Sequence, residues 1–218
     1  MANIKMYSVK TDGNLSLSKN FKVKEFKCHD GSDAVKIDLD NVKTLQKIRD
    51  YFGKAIHINS AYRTKAYNAK IGGASASRHM TGQAADIVIS GVDPLKIYLY
   101  ALSIGSHGAI LYPNSSFVHV DTRPGTFHAI TLDRKTYLLE PSGALKQGMT
   151  SAYVKWMQYM LSRAGYKITI DGKFNSGTTG IVKHFQKENK LTQDGVFGPK
   201  SLAKLKEVLL NKKKNKLP

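Results

Sequence analysis

An α+β domain built on a small antiparallel sheet with flanking helices, followed by a small three-helix domain, is the fold that this sequence predicts. Three observations predict it. Between Leu39 and Asp121 the apolar residues switch between helical and alternating spacing. The stretch Glu140–Ser151 is rich in turn formers and interrupts that pattern. Beyond it only helical spacing recurs, around two copies of the turn Asp-Gly-x-Phe. The expected organisation is a first domain over 1–139, a linker over 140–150, a helical module over 151–211 and a basic tail over 212–218.

Asn14–Lys27 alternates loosely between polar and apolar residues. Leu39, Val42, Leu45, Ile48 and Phe52 recur at three- and four-residue spacing, which predicts an amphipathic helix over Leu39–Tyr51. Ile56 and Ile58 alternate within Ala55–Asn59, a strand, and Lys65–Lys70 reads as a short helix stopped by Gly72–Gly73. Gln83–Ile89 is strand-like, Pro94–Ile104 is helical, and Ala109–Tyr112 and Phe117–Asp121 are short strands. In the last third, Val154, Met157 and Leu161, then Ile181, Val182 and Phe185, then Leu202, Leu205, Val208 and Leu209 mark three short helices.

The turns between those helices repeat: Asp171–Gly172–Lys173–Phe174 and Asp194–Gly195–Val196–Phe197 lie 23 residues apart. In each, the Asp side chain bonds backbone N–H groups, Gly completes the turn, and Phe plugs the core. Together with Val154, Gln158, Leu161, Gly165–Tyr166, Thr178, Val182, Phe185–Gln186, Leu191 and Gly198–Pro199, they resemble the three-helix peptidoglycan-binding module found at the ends of many wall hydrolases. Asn175 stands where that family usually has Gly. Asn tolerates left-handed backbone, so the turn is expected to survive.

Composition narrows the function classes. At 218 residues with 41% hydrophobic content the chain can bury a real core. No run approaches the ~18 apolar residues of a membrane span, and Met1–Lys10 has no apolar segment of a secretion signal. Expected localisation is synthesis in the cytoplasm and action at the bacterial wall, reached by lysis or by another export route. Cys28 is the only cysteine, so neither an internal disulfide nor a thiolate metal cage can form, and it reads as a small buried apolar residue. The net charge of +18 calls for a polyanionic partner, nucleic acid or the teichoic-acid-bearing wall of a Gram-positive cell. The lysine-rich tail Lys212–Lys213–Lys214–Asn215–Lys216 has no nucleic-acid motif beside it and reads as a solvated end.

The chemistry sits in the first domain. His79 and Asp86 stand seven positions apart, and His119 lies at the centre of Phe117–Val118–His119–Val120–Asp121. Two imidazoles and a carboxylate with a fourth position open form the donor set of a hydrolytic zinc site. Small residues at Gly82, Ala84 and Ala85 let the loop Met80–Ala84 fold back and bring Asp86 towards His79. Taken alone, the His79–Asp86 pair fits equally a loop histidine and an unrelated strand-end aspartate.

The surrounding residues carry a more specific likeness. Ser60–Ala61–Tyr62–Arg63, Tyr67–Asn68, Gly72–Gly73–Ala74, Ser77, His79, Gly82, Ala85–Asp86–Ile87 and Phe117–Arg123 resemble the zinc D-alanyl-D-alanine carboxypeptidases, the L-alanyl-D-glutamate endopeptidases and the related metal-binding fold of hedgehog domains. The likeness runs from about Leu17 to Phe127. It implies Zn2+ held by His79, Asp86 and His119, with Arg63 contacting the substrate or its developing negative charge; a surface salt bridge is the alternative for Arg63. A carboxylate often lies three positions before the last histidine in these families, where this chain has Ser116. Asp121, on the same strand face as His119 by period two, is the expected general base. Its alternatives are orienting His119 or pairing with Arg123. Asn68 and Ser77 are candidates for substrate binding, or for holding a loop and the local backbone. His107 is a candidate proton donor or an exposed loop residue.

The resemblances imply a zinc peptidase that cuts peptidoglycan stem peptides, as a carboxypeptidase or an endopeptidase, held at its substrate by the C-terminal module. A phage endolysin is the expected setting. The alternative is an inactive zinc-containing wall-binding protein, favoured by the missing upstream carboxylate.

Overall fold

Residues 3–132, 135–138 and 143–211 are described in a computed structural model, and the chain divides into two units, Met1–Thr136 and Tyr137–Pro218. The tail 212–218 and residues 140–142 of the expected linker lie outside the described residues.

The first unit opens with β1 (Ile4–Ser8), the single turn α1 (Val9–Asp12) and β2 (Ala34–Asp38). β1 and β2 pair antiparallel from Ile4 opposite Asp38 to Ser8 opposite Ala34. The loosely alternating stretch before β2 forms no long strand. It places Phe21, Val23, Phe26 and Cys28 in the core through a short 3-10 turn at Val23–Phe26. α2 (Leu39–Phe52) starts where the Asp38 carboxylate caps the Asp40 N–H and ends at Gly53. It buries Val42, Leu45 and Ile48, the stripe that predicted it. β3 (Ile56–Ser60) and α3 (Lys65–Lys70) follow, α3 capped by the Thr64 hydroxyl. Then come β4 (Ala84–Ile89), α4 (Pro94–Ser103), β5 (Gly108–Tyr112), β6 (Phe117–Asp121), β7 (Phe127–Leu132) and β8 (Lys135–Leu138).

The main sheet has the order β3-β4-β6-β5-β7-β8. The expected antiparallel pairing holds for β3–β4, β4–β6 and β5–β6, whereas β7 runs parallel to β5. After β6 the chain passes to the other edge of β5, and a strand reached that way runs in the direction of β5. β7 and β8 were not foreseen, because His128, Thr131 and Thr136 break the apolar alternation.

Register sorts the sheet into two faces. Ala85, Ile87, Val118, Val120, Ala109, Leu111 and Ile130 share the face covered by α4 and are fully or almost fully buried. On the other face Ser60, Asp86, His119, Ile110 and Ala129 form one row across five strands. Ser60 joins that row because a bulge between Ile58 and Ser60 shifts the register of β3.

The second unit contains α5 (Ala152–Ala164), α6 (Ser176–Glu188) and α7 (Pro199–Asn211). Its repeat is a pair of buried glutamine latches. The Gln158 amide donates to Asp171 Oδ1 and the Lys173 carbonyl, both at 3.0 Å, and its oxygen accepts the Gly172 N–H at 2.8 Å. Gln186 does the same for Asp194 (2.7 Å), the Val196 carbonyl (2.9 Å) and the Gly195 N–H (3.0 Å). Each latch ties a helix to the turn that carries a buried Phe174 or Phe197. Asn175 differs from expectation: its backbone is extended at φ −90°, and its side chain caps α6 by accepting the Thr178 N–H. Asn is preferred there because a cap needs a side-chain acceptor, not left-handed backbone.

Gln158→Ala is expected to destabilise this unit by about 2–3 kcal/mol, since it strips a partner from the buried Gly172 N–H and removes the bonds to Asp171 and the Lys173 carbonyl at once. Denaturant unfolding of the full chain, followed by the fluorescence of Trp156 in α5, measures that loss.

Candidate metal centre and active site

Three short segments bring the ligand candidates together. His79 sits in the 3-10 turn Arg78–Thr81, which ends at Gly82 in left-handed backbone (φ 77°). A side chain at Gly82 would strike the Lys36 carbonyl, so the tight return before β4 requires glycine there. Asp86 on β4 pairs directly with His119 on β6. His79 Nε2 and His119 Nδ1 lie 3.1 Å apart, and Asp86 Oδ1 is 2.9 Å from His119 Nδ1 and 3.3 Å from His79 Nε2. All three residues are buried.

The outer contacts fix which ring nitrogens face the cluster. His79 Nδ1 lies 2.6 Å from the Ala61 carbonyl, which only accepts, so Nδ1 carries the proton and Nε2 faces inward. His119 Nε2 lies 3.0 Å from Asp121 Oδ2. Asp121 is ionised: burial pushes its pKa up, but hydrogen bonds from Arg123 and His119 hold it well below the usual carboxylate range. Arg123 grips that carboxylate through Nε (2.8 and 2.9 Å), Nη2 and its backbone N–H (2.9 Å). His119 therefore donates from Nε2 and turns Nδ1 inward.

Two imidazole nitrogens and a carboxylate oxygen thus converge in a buried space, an arrangement that needs a cation between them. Without a metal, a proton serves. Burial lowers the His119 pKa, yet its bonds to Asp121 and Asp86 prevail and raise it to about 9. The spacing also suits a metal. A tetrahedron with bonds of about 2.0–2.1 Å has edges of about 3.3 Å, close to the three separations found here. Among the described residues His79, Asp86 and His119 are the group of three able to hold a metal ion. The donor set fits zinc.

Arg63 lies on this cluster through Asp86. Its Nη2 donates to Asp86 Oδ2 at 2.7 Å and its Nε to Ser60 Oγ at 2.8 Å, with the side chain only 14% exposed. The salt bridge read as the alternative for Arg63 is thus present, though largely covered rather than at the surface, and the bulge in β3 sets Ser60 opposite Asp86, where it holds the guanidinium.

The remaining candidates are placed differently. Asp121 does not face the ligand cluster; it stands behind His119, where the sequence offered orientation of His119 and pairing with Arg123 as alternatives to the base. It fits there because Gly108 has no side chain, since a Cβ would lie 2.1 Å from Asp121 Oδ1. The buried Asn68 amide donates to the Ala74 carbonyl at 3.0 Å and packs beneath Gly73, so its contacts are to the loop. Ser77 opens the turn that carries His79: its N–H donates to the Ala74 carbonyl and its carbonyl accepts the Met80 N–H, both at 3.1 Å. His107 is exposed, with Nδ1 3.0 Å from the Arg123 carbonyl. Sequence reasoning missed Ser60, the Ala61 carbonyl and Gly108, although Ser60 and Ala61 belong to the Ser-Ala-Tyr-Arg motif that flagged Arg63.

Two stretches of the chain resemble known families. Residues 19–121 match the family model described as peptidase M15. Over that range, just under half of the chain, the sequence is similar to the M15 peptidases. Residues 150–205 match the family model described as a putative peptidoglycan-binding domain. The probable peptidoglycan L,D-endopeptidase MepK of Haemophilus influenzae is 35% identical over 89 residues, 38% of this chain and 46% of the relative. The peptidoglycan L,D-endopeptidase MepK of Escherichia coli is 38% identical over 76 residues, 33% of this chain and 42% of the relative. The chain spans less than half the length of these relatives. A solved peptidoglycan-binding protein from Clostridioides difficile, in complex with glutamine hydroxamate, covers 75% of this chain at 20% identity and a TM-score of 0.34.

Proposed function

We propose that this chain is a zinc-dependent peptidoglycan hydrolase that cuts amide bonds in the peptide part of the cell wall, with the M15 domain as catalyst and the helical module as anchor. The observation that carries this reading is the convergence of His79 Nε2, His119 Nδ1 and Asp86 Oδ1, each fixed from behind by a separate partner. An endopeptidase is favoured over a carboxypeptidase, in keeping with the name of the MepK relatives. The charge of +18 suits anionic wall polymers of a Gram-positive envelope, and a lytic enzyme paired with a wall anchor suits a phage endolysin.

His79, Asp86 and His119 would hold the metal. Zinc bound there supplies Lewis acidity, which polarises the scissile carbonyl and acidifies water. The protein's own residues do the rest. The Ala61 carbonyl and Asp121 keep both imidazoles in the ligating tautomer, and Arg63 pins Asp86 so that one carboxylate oxygen faces inward. In the hydrolysis, water oxygen adds to the carbonyl carbon, the C–N bond breaks, and the water's protons end on the new carboxyl group and amine. Asp121 is assigned a positioning role, because its carboxylate is engaged behind His119.

Purified walls incubated with the zinc-loaded protein should release new amino groups, and a chelator should stop the release until zinc is restored. Mass spectrometry of the fragments identifies the bond. Walls that bind the protein without release would support instead an inactive wall-binding protein, a reading favoured by the engagement of Asp121 away from the cluster.

A further inference from the structure

The face of the sheet that carries the ligand cluster extends past it. Ile110 pairs with His119, and two residues farther along the same strands Tyr112 pairs with Phe117. By alternation Tyr112 and Phe117 therefore share the face of His119 and Asp86. The two rings stack, with centroids 4.4 Å apart and planes at 19°. Both side chains are only partly covered, unlike the fully buried residues under α4. The stack is therefore an accessible aromatic wall beside the candidate metal centre.

Burial raises the Tyr112 pKa and the charge of Asp86 raises it further, while a hydrogen bond from Thr131 and the charges of Arg63 and Arg123 act in the opposite sense. The hydroxyl belongs to the residue two places along β5 from Ile110, which pairs with His119. It is neutral at physiological pH and carries a proton that it can donate.

Resting on the hydrolase reading above, we infer that the Tyr112 hydroxyl is a catalytic hydrogen-bond donor to the carbonyl oxygen of the scissile amide. Three features carry this. Tyr112 shares the face of the cluster, its ring is held by Phe117, and Arg63, the other candidate donor, is committed to Asp86 and Ser60. A donor held in place before reaction stabilises charge that develops only in the transition state, so its effect falls on turnover.

Tyr112→Phe tests this, since it keeps the ring stack and removes only the donor. With a soluble stem-peptide substrate, kcat should fall about 10²-fold or more while KM stays within about twofold. Zinc content and melting temperature should match the wild type. Binding of a phosphinate isostere of the scissile dipeptide should weaken in parallel with kcat/KM. Wild-type kcat in the variant would overturn the assignment, as would a raised KM at unchanged kcat, which marks a ground-state contact. A wild-type protein that binds the phosphinate yet releases no amine overturns the hydrolase reading and, with it, the catalytic role. If only the variant is slow, both stand.

Discussion

Asp86→Ala is expected to remove stoichiometric zinc and wall hydrolysis together. The variant loses one of three protein ligands and also leaves Arg63 without its carboxylate, so a buried guanidinium then faces the position of the cation. A complete structural ligand set contributes about 10–16 kcal/mol to zinc binding, and one ligand of four accounts for roughly 2.5–4 kcal/mol of that. The predicted loss of affinity is therefore about a hundredfold to several hundredfold before the arginine is counted. Competition with a chromophoric chelator measures it. Near-normal zinc affinity in Asp86→Ala would remove Asp86 from the ligand set.

Asp121→Asn separates two roles that produce the same loss of activity. As the partner of His119, Asp121 should affect the metal: the amide removes the charge and weakens the preference for the Nε2–H tautomer, costing about 10–100-fold in zinc affinity. As a general base it would leave affinity unchanged and lower only kcat. The geometry predicts the first outcome, because Asp121 Oδ2 sits 3.0 Å from His119 Nε2 and Arg123 occupies the rest of the carboxylate. Arg123→Ala should shift zinc affinity in the same direction, through the loosened carboxylate. Unchanged zinc affinity in Asp121→Asn with kcat near zero would return Asp121 to the role of base.

These two predictions rest on residues with different legibility. α2 could be read from the chain because one face of it is buried, which imprints a period of 3.6 on the apolar residues, and β4 and β6 because they are short runs of small, apolar and β-branched residues buried on both faces. The candidate ligand set could be read because His79, Asp86 and His119 stand in a frame of small residues, and the single Cys28 cannot build a thiolate cage. β7 was invisible because polar residues interrupt its alternation. The parallel pairing of β5 with β7 was invisible too, since a strand's own sequence does not name its neighbour.

Asp121 shows where such reading stops. Alternation correctly assigns it to the face of His119, but a period of two says nothing about side-chain torsions. It leaves open whether the carboxylate meets the near or the far nitrogen of the ring. The gap in the backbone at Gly108 and the grip of Arg123 decide that question, and both are contacts between residues brought together by folding. Arg63 follows the same rule. Its place after β3 was legible, whereas its partner Asp86 depends on the bulge that moves Ser60 into the row.

The sequence by itself determined two domains, the helical repeat of the second and the three residues able to ligate a metal. Periodicity and side-chain chemistry are local properties, written residue by residue. Only the tertiary structure decided which nitrogen of each histidine faces the cluster, what holds Asp86, and that the Asp121 carboxylate stands behind His119. Those outcomes depend on distances of about 3 Å between groups far apart in the chain, at which hydrogen bonding becomes selective.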